Sequence, residues 1–356
     1  MTSPAPLHRV RVVDLSWLLP GPLCTSLLAD LGADVLKIER PGDGDYAREL
    51  LPGLFRLVNR GKRSAVFDLQ KPEDRERLLG IAASADILVE GFRPGVVERL
   101  GVGYDEVRKR NPKIIYVSIS GYGQSGPMAS HPAHDINFCA EAGLLAIPSS
   151  VDQERPYRMQ LPVSDIAGGM YAALSAVAAL RQRDATGRGS RLDVSLAECA
   201  YAWSALRWAD APSGKQSNWK HVSPGNDIFR AADGEWLALA LVEEQFWTGF
   251  CRAAETLGSD GKLDPLSPPR SDAPREVLLA QRNAIAGAIA QFSSGEWLAQ
   301  ARAYDLPITR VAKSFAKESM PGYPVPLPGL RAASAAPALG ADNARLAANP
   351  AAAWEA

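Results

Sequence analysis

The chain reads as an α/β protein, with a large Rossmann-like domain built on a mostly parallel sheet and a smaller α+β domain after it. Two patterns predict this. Over roughly the first 200 residues, short apolar, β-branched runs alternate with amphipathic stretches at helical spacing, which places crossover helices between parallel strands. Beyond that point a polar stretch leads into two closely spaced strands around a turn, the mark of a second unit. At 356 residues the chain is long enough for both cores.

In order, "RVRVVDLS" is a strand, "GPLCTSLLADLGA" places Leu23, Leu27, Leu28 and Leu31 at helical spacing, and "DVLKIERP" returns to a strand. "SAVFDL" (strand), "KPEDRERLLGIAASA" (a helix opening near Pro72), "DILVEGF" (strand), "GVVERLGVGYDEVRKRN" (helical) and "IIYVSISGYG" (strand) continue the alternation. "DIAGGMYAALSAVAALRQRDATGRG" is a long Ala-rich helix with a Gly-rich, basic stop, and "SRLDVSLAECAYAWSALRW" is a strand followed by a helix. The large domain is expected over 1–200, a linker over 201–225 and the small domain over 226–322, where "DIFRAADGEWLALAL" makes two strands around Asp233-Gly234. The Pro- and Ala-rich tail, 323–356, is expected to lie along a surface.

With 39 basic and 40 acidic residues, no global field draws nucleic acid or an anionic membrane, so an anionic ligand must be held by local Arg and Lys. Cys24, Cys139, Cys199 and Cys251 form no C-x-x-C pair, which suggests neither a disulfide framework nor a zinc site and predicts a reducing, cytoplasmic setting. No stretch reads as a membrane span of about 18 uncharged apolar residues or as a secretory leader. "SWLLPGPLC" lacks the glycines of a nicotinamide fingerprint, and there is no G-x-S-x-G elbow. Neither a nicotinamide nor a metal cofactor is predicted.

Two titratable residues stand out. In "HPAHDINF", Pro132 separates His131 from His134 and no further ligand lies nearby, so His131 reads as a loop residue and not a metal ligand. His134 and Asp135 open an apolar helical pattern, and an imidazole at a helix N-terminus is favoured in its neutral, proton-accepting form; a structural histidine is the other reading. Asp165, in "PVSDIAGGMYAAL", is either an N-cap or a carboxylate at the rim of a cleft, with Gly168-Gly169 letting a backbone or ligand come close.

The ordered segments "RVVDLSWLLPGP", "LADLGADVLKIERPGDGDYAR", "NRGKRSAVFDL", "ADILVEGFRPGVVERLGVGY", "IIYVSISGYGQSGP", "HDINF", "SDIAGGMYAALSAVAAL", "TGRGSRLDVSLAE" and "FRAADGEWLALA" span nearly the whole chain. In them the chain resembles the family III CoA-transferase and α-methylacyl-CoA racemase superfamily. The resemblance implies a large domain completed by the C-terminal tail, an interlocked homodimer, and an acyl-CoA substrate bound at the domain junction. It implies Arg40, Leu69, Gln70, Gly91, Phe92, Arg93 and Arg99 as contacts to the CoA moiety; Gln70 stands where relatives often carry Lys. Asp165 matches the family's catalytic carboxylate. "HDIN" looks like the racemase signature, which makes His134 a second base, Asp135 a support for the helix start or thioester, and Glu243 (or its neighbour Glu244) the group orienting the histidine. Trp17, Leu18 and Leu19 suit an apolar acyl chain. The leading expectation is therefore racemisation of 2-methylacyl-CoA thioesters by 1,1-proton transfer through an enolate. The alternative is transfer of CoA between carboxylic acids through an aspartyl-CoA intermediate on Asp165. A CoA-binding protein without turnover is a third reading, disfavoured because a pure binder needs neither His134 nor Asp165.

Overall fold

The computed structural model describes residues 3–147, 150–152, 155–209, 223–261, 263–269, 273–314, 323–330, 332–348 and 353–354. Most of the expected linker, 210–222, and parts of the tail lie outside the described residues. The chain divides into two compact units, one of 1–142, 159–203 and 319–356, the other of 143–158 and 204–318.

The first unit runs β1 (Arg11–Asp14), α1 (Pro20–Asp30), β2 (Asp34–Glu39), α2 (Ala47–Leu50), α3 (Pro52–Val58), β3 (Arg63–Val66), α4 (Pro72–Ala82), β4 (Ile87–Glu90), α5 (Val96–Arg99), α6 (Tyr104–Arg110) and β5 (Ile115–Ser120). It continues with α7 (Asp135–Glu141), α8 (Val163–Thr186), β6 (Ser190–Ser195) and the start of α9 (Leu196–Trp208), whose residues from 204 on fall in the second unit. The six strands form one parallel sheet in the order β3-β2-β1-β4-β5-β6. That is the Rossmann order, and its reversal point lies between β1 and β4.

Strand periodicity sorts the apolar residues onto two faces. Val12, Val89 and Val117 pack with Leu28 of α1 and Ala172 and Ala176 of α8, while Val13, Leu88 and Tyr116 pack with Leu78 and Ile81 of α4. Each fully buried large apolar side chain contributes about 1.5–3 kcal/mol. Local signals set the helix ends: Pro begins α1, α3 and α4, where its missing N–H costs nothing. Gly187, at φ 72°, ends α8 in the left-handed conformation that a residue with Cβ adopts only with strain. The expected helical run 95–111 is split into α5 and α6, with Gly101 at φ 69° in the break.

In the second unit, β7 (Asn226–Arg230) and β8 (Trp236–Ala240) are an antiparallel pair around Gly234 at φ 81°, as the sequence pattern predicts. Helices α10 (Glu244–Leu257), α11 (Arg275–Ile289) and α12 (Ser294–Ala303) follow, then β9 (Ile308–Arg310), antiparallel to β8. Their core holds Phe229, Trp247, Phe250 and Trp297.

Helix α13 (Asn343–Ala348) belongs to the first unit. The tail is more than a surface strap: Leu346, Ala353 and Trp354 are buried among the residues of the α4 face. Asp342 and Asn343 accept from the backbone N–H groups of Ser64 and Val66, at 3.1 and 2.7 Å, and the Asp342 N–H donates to Ser64 O at 2.9 Å. These bonds occupy polar groups that an edge strand otherwise leaves open to another chain.

A second departure concerns hydropathy. Among the described residues one helix, α8, is long and apolar enough to cross a membrane by length and composition, and half of its apolar window is buried inside the protein. Its buried alanines pack in the cluster with Leu28 of α1 and the strand valines, Gly169 lies against the start of α1 and Gly168 against Leu196 of α9.

Candidate active site

The carboxyl ends of β1 and β4 meet at the reversal point of the sheet, the place where parallel α/β proteins hold ligands. The loop leaving β1 carries Trp17, Leu18 and Leu19 over a buried charge network. Lys37 pairs with Asp45 at 2.9 Å and donates to Ser16 O at 2.6 Å, and Lys62 pairs with Asp14 at 3.0 Å. Asp14 also accepts from the Ser16 N–H and the Thr25 hydroxyl. Burial alone pushes the Asp14 carboxyl up, but Lys62, Lys37 and these hydrogen bonds override it and hold the group far below the usual carboxylate range. Asp45 accepts in addition from the Leu18 N–H at 3.1 Å, which fixes Leu18 at φ 62°, a strained conformation for a residue with a branched side chain.

A cleft of about 330 Å³ opens beside this loop, lined by Trp17, Arg40, Leu69, Gln70, Phe92 and Leu100 among others. It brings together four of the seven predicted CoA contacts. Trp17 meets Tyr46 and Phe92 edge-on at 5.2 and 5.3 Å, and the Arg40 guanidinium lies 4.1 Å from the Tyr46 ring centroid while donating to the Tyr46 hydroxyl. The guanidinium is thus oriented by an aromatic face and a phenol and remains partly exposed, a state suited to a phosphate. Of the other three, Gly91 and Arg93 follow β4 directly and are exposed, and Arg99, also exposed, ends α5 with its guanidinium over Gly95. None of the three lines the cleft itself.

His134 is the N-cap of α7, its backbone N–H held by Asn137 Oδ1 at 3.1 Å, and it is exposed. Asp135, the next residue, reaches across to α8: its Oδ1 accepts from the Ser164 N–H at 2.7 Å, the Ser164 hydroxyl at 2.6 Å and the Asp165 N–H at 3.4 Å. Asp165 therefore stands in the first turn of α8 and is not its N-cap, which is Pro162. Burial, and then the neighbouring Asp135 carboxylate, raise the Asp165 carboxyl to about 7. Gly168 and Gly169 seat this turn. A Cβ on Gly169 would stand 2.7 Å from Pro20 O, and one on Gly168 would stand 2.2 Å from Leu196 Cδ2, so the glycines admit protein backbone and side chain. The same approach places the turn carrying Asp165 against the start of α1, just after Leu19.

Glu243 is the exposed N-cap of α10, in the second unit, its carbonyl accepting from the Phe246 and Trp247 N–H groups. Among the described residues, no group of three or more His, Cys, Asp or Glu is placed to hold a metal ion. Tyr46, Glu90 and the Lys37, Lys62, Asp14 and Asp45 network escaped the sequence reading. For Asp14, Lys37 and Glu90 the signal was a charged residue inside or ending an apolar strand, as in "DVLKIE" and "DILVEGF"; Tyr46, Asp45 and Lys62 lie outside the strands and had no such signal.

Asp165 does not line the aromatic, arginine-bearing cleft, but a half-buried carboxyl raised to about 7 suits attack on, or proton removal from, an activated acyl group. The profile of CoA-transferase family III matches residues 7–318. The chain belongs to CoA-transferase family III. It is 38% identical over 250 residues to acetyl-CoA:oxalate CoA-transferase of Acetobacter aceti, covering 65% of this chain and 64% of that protein. It is 36% identical over 250 residues to the alpha-methylacyl-CoA racemase of Homo sapiens, covering 68% and 63%. The match thus spans less than two thirds of the length of these relatives. The crystal structure of a CAIB/BAIF family protein from Brucella suis superposes with a TM-score of 0.84 at 25% identity, over 98% of this chain and 100% of that one. Similar proteins are found among both CoA-transferases and racemases. These relatives are named as CoA-transferases and as racemases of acyl-CoA; the expectation that favoured the racemase branch is not carried by the comparisons.

Proposed function

We propose that the protein transfers CoA between carboxylic acids, with Asp165 as nucleophile. The observation that carries this reading is the desolvated Asp165 carboxyl in the first turn of a 24-residue helix: poor solvation raises its nucleophilicity, and the helix N-terminus favours its ionised form. Asp165 attacks the acyl-CoA carbonyl, the C–S bond breaks, and a mixed anhydride and CoA thiolate result. The thiolate then attacks the aspartyl carbonyl, releasing the donor carboxylate and leaving an aspartyl-CoA thioester. The acceptor carboxylate attacks that thioester to form a second anhydride, and the returning thiolate takes the new acyl group and frees Asp165. Arg40 and the exposed Arg93 and Arg99 supply charge for the CoA phosphates, Leu69, Gln70 and Phe92 wall the cleft, and the exposed backbone at Gly91 admits the pantetheine arm.

One observation favours the racemase reading as a second. His134 directly precedes the carboxylate that binds Ser164 and the Asp165 N–H, so the two candidate bases flank a single hydrogen-bonded junction. In that reading one base removes the α-proton, the other returns a proton to the opposite face, and Glu243, from the partner subunit of an interlocked homodimer, orients His134. The deciding experiment supplies a 2-methylacyl-CoA and a labelled carboxylic acid in D2O. Label passing into acyl-CoA, with hydroxylamine trapping an acyl group on Asp165, supports transfer. Solvent deuterium entering the α-position, lost in both His134→Ala and Asp165→Ala, with no passage of label, replaces it by racemisation.

A further inference from the structure

Glu90 ends β4 and is 1% exposed, yet neither reading of the chemistry uses it. Its Oε2 accepts from the Phe92 N–H at 2.8 Å, closing the turn that carries Gly91, Phe92 and Arg93. Its Oε1 is buried and makes no well-formed hydrogen bond among the described residues, and the same holds for the hydroxyls of Ser118 and Ser120, although the Ser118 hydroxyl lies close enough to act on the Glu90 carboxyl. Ser118 stands opposite Glu90 in the β4–β5 register, and Ser120, two residues on, faces the same side of the sheet. Three unpartnered polar atoms at the carboxyl ends of two neighbouring strands, beside the reversal point of the sheet, are costly unless they serve one another.

We infer that Glu90 is a positioning residue for the substrate's CoA moiety: one carboxyl oxygen fixes the Gly91-Phe92-Arg93 turn, and the other, in the protonated acid, donates to a serine hydroxyl of β5, Ser118 standing in register with it. The inference rests on the reading of the cleft beside Phe92 as the CoA site. Burial pushes the Glu90 carboxyl up to about 7 against the hydrogen bonds from Ser118 and the Phe92 N–H, so the form that carries a proton to donate is populated near neutrality. Phe92 lines the cleft and meets Trp17, so a displacement at its amide moves the cleft wall. Glutamine has both functions of the neutral acid, a carbonyl to accept from the Phe92 N–H and an N–H to donate to a serine.

The test compares wild type, Glu90→Gln and Glu90→Ala by calorimetric titration with CoA, by turnover kinetics with an acyl-CoA, and by hydrogen exchange of the turn 91–93 without ligand. In Glu90→Ala the turn is expected to exchange faster and the CoA Kd to rise about tenfold, the size of a lost buried hydrogen bond, with KM raised and kcat within about twofold. Glu90→Gln restores exchange protection and CoA affinity to within about threefold of wild type. If the alanine variant fails to fold, Ser118→Ala removes the other end of the link and is expected to raise the CoA Kd about threefold. Unchanged exchange and affinity in these variants, or loss in Glu90→Gln equal to that in Glu90→Ala, overturns the inference. Should the wild-type protein bind no CoA, the reading of the cleft fails, and the exchange measurement still decides whether Glu90 holds the turn.

Discussion

Asp135 Oδ1 binds the backbone N–H and the hydroxyl of Ser164 at 2.7 and 2.6 Å, so the first residue of α7 caps the helix that carries Asp165. One carboxylate thereby does two things: it fixes the first turn of α8, and its charge raises the adjacent Asp165 carboxyl.

The two roles separate by substitution. Asp135→Asn keeps an acceptor for Ser164 but removes the charge, so the Asp165 titration is expected to move below its value of about 7, read by 13C NMR of a carboxyl-labelled protein or by the acid limb of the pH–rate profile. Asp135→Ala removes the acceptor as well and is expected to cost a further ~1–2 kcal/mol in urea denaturation. An Asp165 midpoint that does not fall in Asp135→Asn would show that burial alone sets it.

Asp165 itself gives a pH-dependent stability of definite sign. Its folded-state pKa, about 7, lies above the ordinary carboxylate value of 3.8, so between these limits the folded state holds a proton that the unfolded state has released. Stability from this group is therefore full below about pH 4 and lost as pH rises to about 7. Asp165→Asn, which cannot ionise, is expected to be more stable than wild type at pH 8 by something on the order of 2–4 kcal/mol, with the difference vanishing near pH 4. Parallel denaturation curves at the two pH values measure this.

The parallel sheet was legible because its strands are buried on both faces and so appear as apolar runs between helices; "IIYVSIS" and "DILVEGF" needed no tertiary information. The N-terminus of α7 was legible for a similar reason, since His134-Asp135 stands at the edge of an apolar periodicity. Local pattern failed where a residue's role depends on a distant one. Asp165 resembles an N-cap by position, but the cap is provided from another helix by Asp135. The tail from 323 is too poor in large apolar residues to suggest a core, although Leu346 and Trp354 enter one, and Trp354 Nε1 reaches Ser84 Oγ at 3.0 Å. Lys37 and Lys62 look like exposed cations until the fold brings Asp45 and Asp14 to them.

Gly169 tests how closely the Asp165 turn must sit against α1. A Cβ there meets Pro20 O at 2.7 Å and Leu23 at 3.1 and 3.2 Å, and a backbone oxygen does not swing aside as a flexible side chain would. Gly169→Ala is expected to cost ~1–3 kcal/mol by overpacking, despite the better helix propensity of alanine. A melting temperature equal to or above that of wild type would mean that α8 has room to shift.

The charge network beneath the β1 loop is expected to respond most strongly of all. Lys62 is almost fully buried and donates to Asp14 at 3.0 Å, Pro22 O at 3.0 Å and Asn59 Oδ1 at 2.9 Å; burial presses its own pKa down to about 8, with Asp14 resisting. Lys62→Met fills the same space but leaves Asp14 buried with Lys37 as its remaining cation, and removing one partner of a buried pair costs about 3–5 kcal/mol. The sign with pH follows from Asp14, whose folded-state pKa lies well below its unfolded value. The stabilisation is present above about pH 4 and declines as pH falls, so the deficit of Lys62→Met should be largest near pH 7 and should narrow as Asp14 in the variant takes up a proton. Asp14→Asn combined with Lys62→Met removes the stranded charge and should recover part of the loss at pH 7. A double variant no more stable than Lys62→Met would show that lost packing, and not the unpaired carboxylate, carries the cost.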